Sequence, residues 1–467
     1  MPKKIIPAII IIQVLFFIVF IFYKSFGSIP GYELLDQIAV ADRIFMGMDL
    51  YPSSNSQELW GVSVYFPGIA FLTSGLMQII PSSSIVIVMC CLAFITTFLV
   101  IFIQKYIVYS IYKDYNSRNF WPVMLILTLT LSYHWLSYAT AFKADGLAYL
   151  IGAICVLTND RFKENTRLAF FLGIITGSAL LFKQQYIAFI IGYLFYFIIT
   201  RHKEDYNFTA GILLSLILTT WYIFTDQSMF FWTVTITSDD GFLSFDEWLK
   251  LQLRVGMIGL IALLGLYLLH HLKRLNLNTI KLSFLMLSST KKPFFWIIIA
   301  SFGSAFLSSW LNGGNSGNTG FAIFLLSPLF LIIFENTNSK ILAAVSLILV
   351  ILHAPSLAKL DEKIEQIYNF KNEAEHVLNN ECSGLVIGSE LYYAIRDNYL
   401  GCNYQNYWTH ALRNNSKKED EFRALILDKN NKIFVVENIP ITKAVILTQQ
   451  DIDLVFENNI GLIAVRK

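Results

Sequence analysis

The sequence predicts an all-α polytopic membrane protein of the multi-span kind, with about eleven transmembrane helices and a small extracytoplasmic α/β domain at its C-terminal end. Three observations predict it. Of 467 residues, 55% are hydrophobic and only 15% are charged, whereas soluble domains carry about 25% charged residues. The charge is also unevenly placed. Runs such as 5–22 and 85–103 carry almost none, and each is long enough to cross a hydrocarbon core of about 30 Å. After residue 355 the long apolar runs stop and short ones alternate with polar stretches.

Spans are expected at 5–23, 84–104, 120–137, 143–158, 167–182, 184–200, 209–225, 253–272, 294–311, 319–334 and 340–355. The first run is longer than the apolar core of a signal peptide and lacks a small-residue cleavage site, so it reads as a retained helix. The run 62–80 contains Pro67, Gly68, Ser74 and Gly75 and is weakly apolar. It reads as a helix that lies on the membrane or dips into it. Charge asymmetry selects this reading, because cytoplasmic loops are enriched in Lys and Arg. The scheme places Lys3, Lys4, Lys105, Lys113, Arg118, Arg161, Lys163, Arg167, Arg201, Lys203, Lys273, Arg274, Lys281, Lys291, Lys292 and Lys340 inside. Only Lys24, Arg43, Lys143, Lys183, Lys250 and Arg254 fall outside. A further span at 62–80 would reverse that bias. The N-terminus is therefore expected in the cytoplasm and the C-terminal domain outside, in a bacterial inner membrane surrounded by membrane lipids. A net charge of +2 gives no sign of a nucleic-acid partner, and none is expected.

Two domains follow, a transmembrane domain at 1–355 and a soluble α/β domain at 356–467. Within the tail, 357–380 reads as a charged helix, and 385–387, 433–436 and 462–465 as short buried strands. Cys90, Cys91 and Cys155 sit in apolar runs as packing residues, whereas Cys382 and Cys402 lie in the tail and could pair in an oxidising compartment.

Chemistry concentrates on the outer side. The first outer loop, 24–83, carries an amphipathic helix over 32–46 with Ile38, Ala41 and Phe45 on one side. Glu33 and Asp36 are three apart and share one helical face. Such a pair can activate a hydroxyl, hold a divalent cation or face water. Lys143 and Asp145 open the fourth span, where ionisable groups usually face a cavity or a partner; a local ion pair or snorkelling lysine is the plainer reading. Lys183 and Gln184 lie in a tight outer turn between apolar runs. A cation there can hold a lipid phosphate, or can serve only as an interfacial anchor. Residues 226–252 add Asp239, Asp240, Asp246 and Glu247. The Gly/Asn-rich stretch 312–320, with Asn315 and Asn318, offers free backbone N–H groups and side-chain amides that suit phosphate or sugar hydroxyls.

Taken in order, these segments resemble the GT-C glycosyltransferases, in particular the branches related to protein O-mannosyltransferases and aminoarabinose transferases. The resemblance is carried by Gly31 to Asp36, by Arg43 to Tyr51 with its Gly47-x-x-x-Tyr51 turn, and by Tyr65-Phe66-Pro67. Lys143 to Ala148, Phe182 to Tyr186 and the Gly313–Asn318 element complete it. The likeness covers roughly 1–355, and the tail matches no subfamily module. It implies a membrane glycosyltransferase that takes a sugar from a polyprenyl-phosphate donor and passes it to a glycan, lipid or protein acceptor. It implies Glu33, Asp36 and Asp145 as catalytic carboxylates and Lys143, Lys183 and Gln184 as donor-phosphate contacts. Tyr65, Asn315 and Asn318 are the implied substrate contacts. The pattern makes no cofactor certain and leaves room for a divalent cation, which would sit on Glu33 and Asp36. The competing class is a lipid-linked polysaccharide polymerase, ligase or flippase. A polymerase or ligase would show a large arginine-bearing loop between late spans, and a flippase would show charges deep in several spans. Here that loop is short and has no arginine, and the apolar runs are largely free of charges.

Overall fold

The described apolar runs fold as helices, and the chain ends in a small sheet. The computed structural model describes residues 32–51, 66–81, 84–113, 115–130, 144–231, 243–250, 292–308, 324–335, 337–378, 384–387, 403–404, 426–437, 440–459 and 461–467, with a few single residues between them. The helices are α1 (Tyr32–Phe45), α2 (Gly68–Met77), α3 (Ile85–Ile111), α4 (Phe120–Thr130), α5 (Ala144–Arg161), α6 (Thr166–Ser178), α7 (Ile187–Thr200) and α8 (Tyr206–Thr225). They continue with α9 (Pro293–Ser308), α10 (Ser327–Ile333) and α11 (Ser339–Leu378). The strands are β1 (Gly384–Ile387), β2 (Asn403–Tyr404), β3 (Ile433–Glu437), β4 (Ile452–Glu457) and β5 (Gly461–Arg466), with α12 (Pro440–Leu447) between β3 and β4. The expected span 253–272 lies outside the described residues.

Two compact units result. One comprises residues 1–23, 92–225 and 241–357, and the other 24–91, 226–240 and 358–467. Among the described residues, two helices are long and apolar enough to cross a membrane, Ile85–Ile111 and Lys203–Thr225; the expected eleven spans are not established. At 1.5 Å per residue, α2 reaches only about 15 Å, half a hydrocarbon core.

In the first unit the helices meet through small residues. Gly173 of α6 lies so close to α8 that a Cβ there would stand 2.1 Å from the Phe208 carbonyl oxygen. A Cβ on Gly211 would stand 2.2 Å from the Phe170 carbonyl oxygen. At these two glycines the backbones touch, as in helix pairs that associate in lipid. Ser178 and Ser215 share a hydrogen bond of 2.9 Å along it. The opposite face of α8 is apolar and open: Ile217 is 65% exposed and Trp221 71%.

The end of the bundle that bears Arg161, Lys163, Arg201 and Lys203 is tied by Asp205, which is buried. Its carboxylate accepts from the Tyr196 hydroxyl at 2.9 Å and from the Asn159 amide at 3.3 Å. Helices α5 and α7 thus share one acceptor just before α8. Nearby, Lys163 pairs with Asp160 at 3.0 Å. Burial alone would lower the Lys163 ammonium, but the Asp160 hydrogen bond and the charges of Asp205, Asp160 and Glu204 outweigh it and hold its pKa above the ordinary value. Asn119, just before α4, donates its amide to the carbonyls of Phe334, Glu335 and Thr337, which fastens the end of α10.

In the second unit the sheet order is β2-β1-β3-β5-β4. β1 is parallel to β2 and to β3, and β5 is antiparallel to β3 and β4. Leu385 and Ala464 flank Phe434 across the register. Phe434, Val435 and Val436 are all at 0% exposure, as expected of a central strand covered on both faces. The three strands read from the sequence are present, and β2 and β4 join them at the edges. The helix expected over 357–380 is the second half of one 40-residue helix, α11, which runs on from the apolar segment before it without a break.

Candidate functional site

The turn that carries Lys183 is built by two short 3-10 segments. Helix α6 runs on into Ala179–Leu181, and the chain reverses with the Lys183 amide donating to the Leu180 carbonyl at 3.2 Å. Lys183 itself is extended (φ −155°, ψ 132°) and leads into Gln184–Tyr186, after which α7 starts. The Tyr186 amide donates to the Lys183 carbonyl at 3.1 Å. Apolar helices precede and follow the turn, and the polar trio Lys183, Gln184 and Gln185 between them is half-buried.

Next to this turn is a small cavity of about 20 Å3, lined by Tyr149 of α5, Gln185, Tyr186, Phe189 of α7, and Ser301, Ser304 and Ala305 of α9. Tyr186 stacks on Phe189 with ring centres 4.9 Å apart, and Tyr149 meets Phe189 edge-on at 5.9 Å. Gly152 makes room for this arrangement, because a Cβ there would stand 2.1 Å from the Tyr186 hydroxyl. Among the described residues, the hydroxyls of Tyr186 and Ser301 are buried without a hydrogen-bond partner.

Helix α1 brings the outer-loop carboxylates. The backbone of Glu33 and Asp36 is helical, and their side chains lie outside the described part, as does that of Asp145 on the first turn of α5. Lys143, Tyr65, Asn315 and Asn318 also lie outside the described residues, as do Cys382 and Cys402. What the structure adds on α1 is a buried charged pair that the spacing argument did not single out. Asp42 is at 0% exposure and Arg43 at 1%. Arg43 Nε donates to the Asp49 carbonyl. The helix stops there because Gly47 takes a left-handed φ of 75° and Met48 N–H returns to the Arg43 carbonyl at 3.1 Å, a glycine-based helix stop. Ile38 and Ala41 are buried as expected, but Phe45 is 39% exposed. It is the last residue before the stop, where the helical face no longer continues. The signal for the pair was present as Asp42-Arg43 amid Ile38, Ala39, Val40 and Ala41; a charged dipeptide on a helix is ordinarily read as its wet side.

Of the acids at 226–252, Glu247 has a structural task. Ser244 O–H and N–H both donate to its carboxylate, at 2.8 and 3.1 Å, and the Glu247 N–H returns to the Ser244 hydroxyl at 3.3 Å. This is a capping box. The Ser244 hydroxyl and amide hold the exposed Glu247 carboxyl below its ordinary pKa. The same segment is fixed by Trp310, whose indole N–H donates to the Leu243 carbonyl at 2.9 Å and whose ring stacks on Trp248 at 5.0 Å.

Among the described residues no group of three or more His, Cys, Asp and Glu is placed to hold a metal ion.

The helical fold, with α1 and α2 early in the chain, a lysine turn between α6 and α7 and a terminal five-stranded module, is shared with solved structures. Two solved structures share it along nearly the whole chain. They are those of ArnT from Cupriavidus metallidurans. The one bound to undecaprenyl phosphate has a TM-score of 0.57 at 9% identity and covers 99% of this chain and 98% of that one. The apo state has a TM-score of 0.59 at 12% identity, with 97% of each chain covered. At these identities the likeness is one of fold. No protein-family model matches the sequence, and no curated protein matches it.

Proposed function

We propose that this chain is an integral membrane glycosyltransferase that moves a sugar from a polyprenyl-phosphate donor to a hydroxyl of a glycan, lipid or protein acceptor, on the extracytoplasmic face of a bacterial inner membrane. The observation that carries the reading is the full-length likeness to a fold that has been solved with undecaprenyl phosphate bound. The open apolar face of α8 supports a lipid surround, since water-facing surfaces rarely present contiguous large apolar side chains.

The chemistry is a single displacement. An acceptor oxygen attacks the anomeric carbon as the bond from that carbon to the phosphate oxygen breaks. The acceptor proton passes to a carboxylate, for which Glu33, Asp36 and Asp145 are the candidates. The polyprenyl phosphate leaves with the bond's electron pair, and an ammonium stabilises that charge better than a proton donor would. Lys183 and Lys143 are the cations for this task, with Gln184 next to Lys183 on its turn. Inversion at the anomeric carbon is what the family resemblance implies. Tyr65, Asn315 and Asn318 would contact the sugar or acceptor. If a divalent cation is bound, Glu33 and Asp36 would hold it, and it would neutralise phosphate charge.

The test is sugar transfer by full-length protein in liposomes supplied with undecaprenyl-phosphate sugars and a membrane extract as acceptor. Glu33→Ala, Asp36→Ala and Asp145→Ala are each expected to lower the rate by about 100-fold or more in protein that inserts normally. Undiminished transfer by all three variants would overturn the carboxylate assignment.

A further inference from the structure

We propose that the end of the bundle opposite the Lys183 turn is a binding site for the headgroup of an anionic glycerophospholipid, with Arg201 and Lys203 as its central contacts and Arg161 and Arg167 beside them. The inference goes beyond the glycosyltransferase reading. It needs only the membrane location, so its failure would leave the sugar-transfer proposal untouched.

Three observations carry it. First, two separate loops bring their cations together. Buried Asp205 accepts from Asn159, just before Arg161, and from Tyr196, in the last turns of α7 before Arg201. Lys163 feels the charges of Asp205 and Glu204, so the α5–α6 loop lies against the α7–α8 loop. The acids there are partly used up: Asp205 is enclosed by those hydrogen bonds, and Asp160 pairs with Lys163 at 3.0 Å. Arg161, Arg167, Arg201 and Lys203 are all exposed, with Glu164 and Glu204 as the exposed acids left to oppose them. The surplus is positive and attracts an anion.

Second, Arg201 holds a backbone position that disfavours a side chain. It ends α7 in the left-handed region, at φ 49° and ψ 35°, with its N–H on the Phe197 carbonyl at 2.8 Å. Glycine is the usual residue at such a stop, because it has no Cβ to clash. Among the described residues Arg201 is the one non-glycine residue with a positive φ. Its side chain is exposed, so packing inside the protein does not explain an arginine there. Strain of this kind is kept where the side chain has a task.

Third, the surface beside the cations suits the rest of a lipid. Ile198 and Ile199, in the last turn of α7, are 59% and 47% exposed, and Tyr206, which opens α8, is 53% exposed. The Tyr206 ring meets Phe197 edge-on at 5.3 Å. On the other loop Arg161 lies over the exposed Phe162 ring at 5.6 Å. A soluble anion would use the cations alone. Exposed aliphatic side chains within a turn of a guanidinium match a molecule with a phosphate head and acyl chains.

The test is native mass spectrometry of full-length protein in detergent, with added phosphatidylglycerol or phosphatidylcholine of identical chains. The wild type should retain phosphatidylglycerol at least about tenfold better, and the preference should fade as salt rises. Arg201→Gln and Lys203→Gln should each weaken phosphatidylglycerol about fivefold and leave phosphatidylcholine unchanged, while Arg201→Lys stays near wild type. Glu204→Gln, which removes a neighbouring acid, should strengthen it. Arg201→Gly should weaken phosphatidylglycerol yet raise the melting temperature of lipid-free protein, because it relieves the backbone as it removes the cation. Equal retention of both lipids by the wild type, or unchanged phosphatidylglycerol in both glutamine variants, would reduce these residues to topology signals and overturn the site. Equal loss of both lipids in the variants would make Arg201 and Lys203 elements of the fold and overturn it as well. Displacement of phosphatidylglycerol by inorganic phosphate at matched ionic strength would assign the patch to a soluble anion, which also contradicts the proposal.

Discussion

The sheet of the C-terminal module and the α6–α8 helix pair are packed by opposite rules. In β3 the large residues are inside: Phe434, Val435 and Val436 are fully buried. In α8 the small residues are inside, with Gly211 against the α6 backbone and Ser215 bonded to Ser178, while Ile217 and Trp221 face out. Large-in packing is what water enforces, because burying apolar area is the main source of stability there. Small-in packing gains from close backbone contact, and needs an apolar surround to leave its large residues outside. The first pattern fits a core closed in water, and the second fits an apolar surround.

That comparison can be broken at defined positions. Phe434→Ala should cost about 3–5 kcal/mol by opening a cavity in the sheet, read as accelerated amide exchange over β3 and β5; a loss below about 1 kcal/mol would mean the sheet is not a water-type core. Ile217→Asp should cost about 3 kcal/mol of membrane insertion if the face of α8 lies in hydrocarbon. Tolerance of that aspartate in a glycosylation-tag insertion assay would place the face in water. Gly173→Leu should destabilise the detergent-solubilised protein by about 1–3 kcal/mol or more, because the new side chain meets the Phe208 carbonyl; thermal unfolding measures it. Asp205→Ala removes the acceptor shared by Tyr196 and Asn159 and should cost about 1–3 kcal/mol. Rescue by Asp205→Asn, which keeps an acceptor oxygen, would separate hydrogen bonding from charge. Ile217→Leu should shift stability by less than about 0.5 kcal/mol.

The positions of the helices were legible in the sequence, because uninterrupted apolar runs leave a chain few other ways to satisfy its backbone. The central strands were legible for a similar reason: 433–436 and 462–465 are short and wholly apolar. Strand β4 was not, since Ile452-Asp453-Leu454-Val455-Phe456-Glu457 mixes charge with apolar residues, as an edge strand can. The long helix α11 was divided in two by its change of composition, which alters what surrounds a helix and not whether it continues. Of the site, the Lys183 turn could be placed from sequence alone because two apolar helices force it into being. The buried Asp42 and Arg43 and the cavity beside Tyr186 and Ser301 could not, because both depend on which neighbours arrive from elsewhere in the chain.

The most direct test of the account is photocrosslinking of full-length protein in native-lipid nanodiscs with a benzophenone-bearing undecaprenyl phosphate. The account predicts labelling of the peptide that contains Lys183 and Gln184, suppressed by excess unlabelled undecaprenyl phosphate and weakened by Lys183→Ala. Labelling that is absent, or that undecaprenyl phosphate does not compete away, would contradict it.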